Sequence, residues 1–256
     1  MLPTVPDDLD GDPWLLTVNN GTLDLRTGEL HPHDKGQMIT KLAPVEHDPN
    51  AEAPTWVAFL DRIMGGNQAL IRFLQRAVGY ALTGDTREQC LFLLHGTGAN
   101  GKSTFLEAIS GMLADYALKT PTKTVLVRRN NGISEDIARL KGARLVTAVE
   151  AEDGQRLAES LVKQLTGGDT IAARHLYSRT FEFRPEFKLF MAVNHKPRIR
   201  GTDNAIWRRI HLIPFTVTIP EAEQDKTLAD KLAAEYAGIL AWAVQGWFDW
   251  QAHGVQ

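Results

Sequence analysis

The run Gly96-Thr97-Gly98-Ala99-Asn100-Gly101-Lys102-Ser103 constrains this chain more than any other segment. It stands between a continuous apolar run, Leu91-Phe92-Leu93-Leu94, and a helical pattern from Phe105 to Met112. Glycines let backbone N–H groups wrap phosphate, a lysine neutralises the outer phosphates, and a hydroxyl ligates magnesium. A helix that starts directly after such a loop aims its N-terminal dipole at the same anion. Buried strand, loop and helix in that order predict a phosphate-binding loop over Gly96 to Thr104. ATP and Mg2+ are its expected ligands, with Lys102 on the phosphates and Ser103 on the metal. The alternative is a glycine-rich turn that binds no nucleotide.

Further strands and helices follow to about Thr216, the alternation of an α/β fold with a mainly parallel sheet. Upstream, Leu15 to Val18 and Thr22 to Leu25 flank Asn19-Asn20-Gly21, a hairpin signal. Pro54 to Met64 reads as a short helix with proline in its first turn. Leu70, Phe73, Leu74, Ala77, Val78 and Ala81 recur at helical spacing until Gly84 closes the segment. Near the end, Leu228, Leu232, Tyr236, Ile239, Leu240, Ala243 and Trp247 trace one face of a single long helix. The expected organisation is a hairpin segment and linker over 1–50 and a helical subdomain over 51–88, a possible oligomerisation collar. An ATPase core over 89–218 and a helical segment over 219–256 complete it. The chain stops soon after its last helix without an ending signal, so a longer parent protein is expected.

The 43% apolar content of the 256 residues is ordinary globular usage. The single cysteine, Cys90, has no partner for an intramolecular disulfide and sits among apolar residues, which suits a buried thiol in a reducing cytoplasm. No apolar run approaches the roughly 18 residues of a membrane span. The net charge of -3 hides an asymmetry. Residues 1–60 hold 3 Lys/Arg against 10 Asp/Glu, whereas residues 171–210 hold 9 against 3. Solvated faces of opposite sign are one reading, and a local anion-binding surface is the other. The acidic residues Asp7, Asp8, Asp10 and Asp12 lie in a proline-containing stretch without strand pattern and read as a solvated tail, not as a priming metal site.

Hydrolysis requires a carboxylate near magnesium and the attacking water, normally at the end of a neighbouring buried strand. Arg144 to Glu150 offers an apolar run that ends in Glu150, with Glu152 second in line. A third apolar run, Phe187 to Val193, ends in Asn194, whose amide can hold water or phosphate without adding charge. Phe181 and Phe183 alternate with Glu182 and Arg184 and predict a strand returning before Pro185. Leu157, Leu161 and Leu165 form a helical stripe that Gly167 stops. Lys163 on that helix faces DNA, the nucleotide interface or simply solvent, and Asp169 reads as structural.

The succession GTGANGKST, RLVTAVEAEDG, LVKQLTGGDTIAARHLYSRTFEFRP, FKLFMAVNHKPRI and TDNAIWRRIHLIPF resembles the superfamily 3 helicase domain, most closely its phage and plasmid, poxvirus-like primase-helicase branch. NNGTLDLRTGEL and RFLQRAVGYALTG are similar to the segment that precedes the ATPase in that branch. The resemblance implies an AAA+-like P-loop fold and a hexameric homo-oligomeric ring. It also implies 3′ to 5′ movement on single-stranded DNA at a replication fork, with a primase domain or protein as a further partner. On this chain it gives Lys102 and Ser103 the phosphate and metal, makes Glu150 the acidic residue and Asn194 the sensor, and puts an arginine finger at Arg209, with Arg208 its competitor. An ordinary ion pair beside Asp203 is the alternative for either arginine. A hairpin tip that enters the channel matches Arg174-His175, with Tyr177 and Arg179 as nearby DNA-binding candidates. A nucleotide-dependent origin-initiator that does not unwind by itself is the competing function. A small-molecule kinase is a more distant one, since it needs neither channel hairpin nor finger.

Overall fold

The computed structural model describes residues 8–127, 135–149, 154–175, 179–201 and 203–255. The chain opens with β1 (Leu15–Val18) and β2 (Gly21–Asp24), paired antiparallel with Val18 opposite Gly21, as the Asn-Asn-Gly signal predicts. A third strand, β3 (Glu29–His31), extends this sheet beyond the expectation. Helices α1 (Pro54–Ile63) and α2 (Gln68–Ala81) follow, close to their predicted bounds.

From Leu91 strands and helices alternate: β4 (Leu91–His95), α3 (Lys102–Leu113), β5 (Ala117–Pro121), α4 (Glu135–Ala138), β6 (Leu145–Val149) and α5 (Glu159–Gly167). Then come β7 (Ile171–Ala173), β8 (Phe181–Phe183), β9 (Lys188–Val193), α6 (Asn204–Trp207) and β10 (Ile210–Pro214). Two helices end the chain, α7 (Leu228–Ala234) and α8 (Tyr236–His253).

Strands β10, β4, β9, β6 and β5 form, in that order, an all-parallel five-stranded sheet. Both faces of such a sheet are covered, which is why its inner strands are continuously apolar. Phe92, Leu94, Phe190 and Ala192 point into a core shared with β1, β2, α1, α2, α3 and α8. Leu91, Leu93, Leu189, Met191 and Val193 point the other way, into a core closed by α5 and the β7–β8 hairpin. Helices α2 and α8 cross at a glycine seam: a Cβ on Gly79 would collide with the Trp247 and Gly246 backbone, and one on Gly246 with the Gln75 backbone.

Three expectations are corrected. The predicted single C-terminal helix is two, broken at Glu235, whose carboxylate accepts from Thr55 N (3.0 Å) and Trp56 N (2.9 Å) and so caps α1. Asp10 and Asp12 are not a solvated tail. Asp10 accepts from Thr40 N, Thr40 Oγ1 and Lys41 Nζ, and Asp12 from Trp14 N and Arg26. Partial burial pushes both carboxyls up, but these hydrogen bonds outweigh it and hold their pKa below the ordinary value. Finally, α5 is stopped by Gly168 in the left-handed conformation, one residue beyond the expected Gly167.

Two buried cations tie the N-terminal hairpin and α2 to the sheet. Arg144, directly before β6, donates to Leu82 O (2.8 Å) and Leu15 O (2.5 Å) with its guanidinium over the Tyr116 ring. Lys188, first in β9, donates to the carbonyls of Thr83, Asp85 and Glu186 beneath the Tyr80 ring. Burial, with the nearby Arg144 charge, pushes the Lys188 ammonium down to about 7. Cys90 is buried as expected, and burial pushes its thiol up to about 12. Among the described residues no helix is long and apolar enough to cross a membrane.

Candidate functional site

The glycine-rich run leaves the C-terminal end of β4 and delivers the chain into α3, of which Lys102 is the first residue. Gly101, φ +82°, makes the turn into the helix, and a Cβ there would meet Ile63 Cγ2 at 2.5 Å, so glycine is required both for conformation and for room. Lys102 is buried, and its Nζ donates to Gly96 O (2.7 Å) and Asn100 Oδ1 (2.8 Å). Asn100 Nδ2 in turn donates to Phe215 O (3.3 Å), while Ile219 N donates to Ala99 O (2.7 Å). The loop is therefore braced from behind by the chain leaving β10.

Desolvation lowers the Lys102 pKa, and its acceptors are neutral. A cation held this way favours any anion that can replace them. In front of it lies a cavity of about 260 Å³ lined by Gly98 to Thr104, with Val149, Ala192 and Asn194 on the far wall. Ser103 and Asn194 are exposed to this space. Asn194 is placed there because β9 pairs in register with β4, Val193 opposite His95. His95 reports the sign of the field: burial first, then the charges of Lys196, Lys102 and His195, lower its pKa.

Beside this cavity a second, mainly apolar slot of about 470 Å³ shares Ala99, Gly101 and Thr104 with it. Its other walls are Ala58 and Phe59 on α1 and Ile219 and Leu228 after β10, joined across the mouth by the Arg62–Glu223 ion pair. These residues were not found in the sequence because the two walls stand some 160 positions apart and carry no local motif.

Glu150 and Glu152 lie outside the described residues; Val149, the last residue before them, ends β6 at the cavity wall. Arg208 and Arg209 precede β10, at the opposite end of the sheet from the glycine loop, about 16 Å away by strand rise. Arg209 is 8% exposed and donates to Ala205 O (2.5 Å) and Gln89 Oε1 (3.0 Å). Arg208 is exposed and donates to Gln89 Oε1 at 2.6 Å. Asp203 pairs with neither; it caps α6 at Ile206 N and binds Lys163 Nζ at 2.8 Å.

Strands β7 and β8 form the expected hairpin, Ile171 opposite Phe183 and Ala173 opposite Phe181. Arg174 and His175 leave β7 exposed, and Arg179 approaches β8 exposed; Tyr177 lies outside the described residues. His175 stacks on Phe181 with ring centroids 5.3 Å apart.

Comparison with known proteins bears on this geometry. Residues 1–65 match the family described as D5 N terminal like, and residues 94–209 match a family of unknown function, DUF5906. The chain is 30% identical over 219 residues to "Putative helicase L207/L206" of Acanthamoeba polyphaga mimivirus, covering 83% of this chain and 23% of that protein. It is 32% identical over 204 residues to "Putative helicase 022R" of Frog virus 3, covering 77% and 19%. It is 28% identical over 135 residues to "Primase D5" of Fowlpox virus, covering 51% and 17%. The chain thus spans about a quarter or less of these relatives. Among solved structures, the C-terminal region of NrS-1 shares the fold, with a TM-score of 0.62 at 10% identity, covering 79% of this chain and 47% of that one.

Proposed function

From its similarity to proteins named putative helicase and primase D5 in large DNA viruses, we propose that this chain is an ATP-driven helicase module that moves along single-stranded DNA. The observation that carries the reading is Lys102, a desolvated cation held, among the described residues, by neutral oxygens of its own loop and faced by Asn194 across a phosphate-sized cavity. The donor set fits ATP with magnesium: a buried lysine, the Ser103 hydroxyl at a helix start, loop N–H groups, and a neutral amide opposite.

In this reading Lys102 exchanges Gly96 O and Asn100 Oδ1 for the outer phosphates, and Ser103 ligates the metal. Magnesium held there would supply positive charge against the transferred phosphoryl group. Glu150, just past the end of β6, orients and deprotonates the attacking water, and Asn194 holds that water by hydrogen bonds. The apolar slot beside the loop takes the nucleotide base.

The finger acts on another copy, because Arg208 and Arg209 sit at the far end of the sheet from their own loop. Arg208 is the better candidate, since Arg209 is enclosed and bonded to Ala205 O and Gln89. A ring, with six copies as the resemblance implies, supplies that geometry, and Arg174, His175 and Arg179 face the strand it threads, with Tyr177 a further DNA-binding candidate. Movement is 3′ to 5′.

Unwinding of a forked duplex tests the proposal. The native chain should separate it with ATP, and Lys102→Ala should not. Rings mixed from Lys102→Ala and Arg208→Ala copies should recover hydrolysis that neither has alone. Absence of ATP hydrolysis in an assembled native ring would refute the reading. Hydrolysis and DNA binding without unwinding would favour the initiator alternative.

A further inference from the structure

Beneath the β7–β8 hairpin lies an open cleft of about 550 Å³ lined by Lys41, Arg139, Lys141, His175, Glu182 and Arg184. Five separate stretches build it: Leu9-Asp10, Lys41, the turn between α4 and β6, His175 after β7, and Glu182 to Glu186 at β8 and beyond. Arg139, Lys141, His175 and Arg184 are exposed. A Cβ on Gly142 would lie 2.9 Å from Lys41 Nζ, so the turn and the Lys41 segment are in contact.

The charges on its walls do not cancel. Asp10 is engaged by Thr40 and Lys41. Burial raises the Glu186 pKa, against the pull of Arg144 and Lys188 on its inner side. Glu182, opposite Ala172 in the hairpin, is the remaining exposed carboxylate of the cleft, set against Arg139 and Arg184. The cleft also carries a ring platform: His175 stacks on Phe181 at 19° between planes, and Lys141 Nζ lies 5.8 Å from the same Phe181 centroid.

Cations on several backbone elements around a stacked, exposed ring are what binds a single strand, whose phosphates need charge and whose unpaired bases need a flat face. An acidic peptide would use the charges and leave the ring without a partner. We infer that the nucleic-acid track continues from the hairpin tip down into this cleft, with Arg139, Lys141 and Arg184 on phosphates and a base against His175. The inference rests on the proposed role of the hairpin and extends it to residues on another element.

The test is binding of a fluorescent oligo-dT to the whole chain over a series of salt concentrations. Arg139→Gln with Lys141→Gln and Arg184→Gln should lower affinity about ten-fold or more. It should also reduce the slope of log affinity against log salt by about 2, at roughly 0.7 per phosphate contact on a single strand. His175→Ala should weaken binding with the slope unchanged, because it removes a stacking face and not a charge. Glu182→Gln should tighten binding a few-fold, a gain that unfolding cannot mimic. If the triple variant keeps native affinity and slope while Arg174→Ala weakens binding, the track ends at the hairpin and the inference is wrong with the proposed function intact. Equal competition by poly-glutamate would also overturn it, since the face would then read charge alone. If the native chain does not bind oligo-dT, both this inference and the proposed function fall.

Discussion

The two ends of the central sheet treat buried cations in opposite ways. At the N-terminal ends of the strands, Arg144 and Lys188 are enclosed and donate to backbone carbonyls of the hairpin, of α2 and of the loop after it. At the C-terminal ends, Lys102 is buried on one side only and opens onto a cavity with Asn194 across it. Burial lowers the pKa of all three. What differs is whether the acceptors are structural or replaceable. In an open α/β sheet ligands bind at the carboxyl ends of the strands, and the other end is left to hold the fold together.

That contrast breaks if the two ends respond alike to mutation. The largest effect should come from Lys102→Ala, which removes one preorganised donor to the phosphates: ATP hydrolysis should fall about 10²–10³-fold. Its chemical unfolding free energy should stay within about 1 kcal/mol of native, because the open cavity in front of Lys102 lets water take the ammonium's place at Gly96 O and Asn100 Oδ1. Next, Arg144→Met should do the reverse. It strips donors from Leu15 O and Leu82 O at about 1–3 kcal/mol each, so unfolding should become easier by about 3 kcal/mol.

A pH series separates Lys188 from both. Its folded pKa of about 7 lies below an unfolded value of about 10.4, so above pH 7 the unfolded chain binds the extra proton. Stability should therefore rise from about pH 7 at up to about 1.4 kcal/mol per unit, and below pH 7 this contribution should not vary. Cys90, pushed up to about 12, opposes the rise once the unfolded thiol ionises near pH 8.5, because stability then falls with pH. Lys188→Met should abolish the rise between about pH 7 and 8.5 in urea titrations. The smallest effect belongs to Asp10→Ala, which should cost about 1 kcal/mol through the lost bonds to Thr40 and Lys41.

The end of the sheet that carries the glycine loop was largely legible in the sequence, and the structural end was not. A continuous apolar run followed by glycines, lysine and a helical period is local information, so β4, the loop and α3 could be read directly, as could β6 and β9 from their apolar runs. The β7–β8 hairpin was legible from the alternation at Phe181 and Phe183. Arg144 and Lys188 looked like polar strand starts, because their acceptors lie up to 132 positions away in sequence. The break at Glu235 was hidden for the same reason: what it caps is α1, some 180 residues upstream. Edge strand β5 carries Lys119 and Pro121 and lacks the apolar run of its neighbours. Burial of Arg209 beside an exposed Arg208 follows from α6 turning into β10, which two adjacent arginines cannot signal. The apolar slot and the basic cleft are each assembled from distant segments, and so neither had a motif to find.

Steady-state ATP hydrolysis by the assembled chain, with and without single-stranded DNA, tests the central claim most directly. The account predicts magnesium-dependent hydrolysis that DNA stimulates and that Lys102→Ala lowers about 10²–10³-fold while the protein remains folded. Hydrolysis that persists at native rate in Lys102→Ala, or none in an assembled native ring, would contradict it.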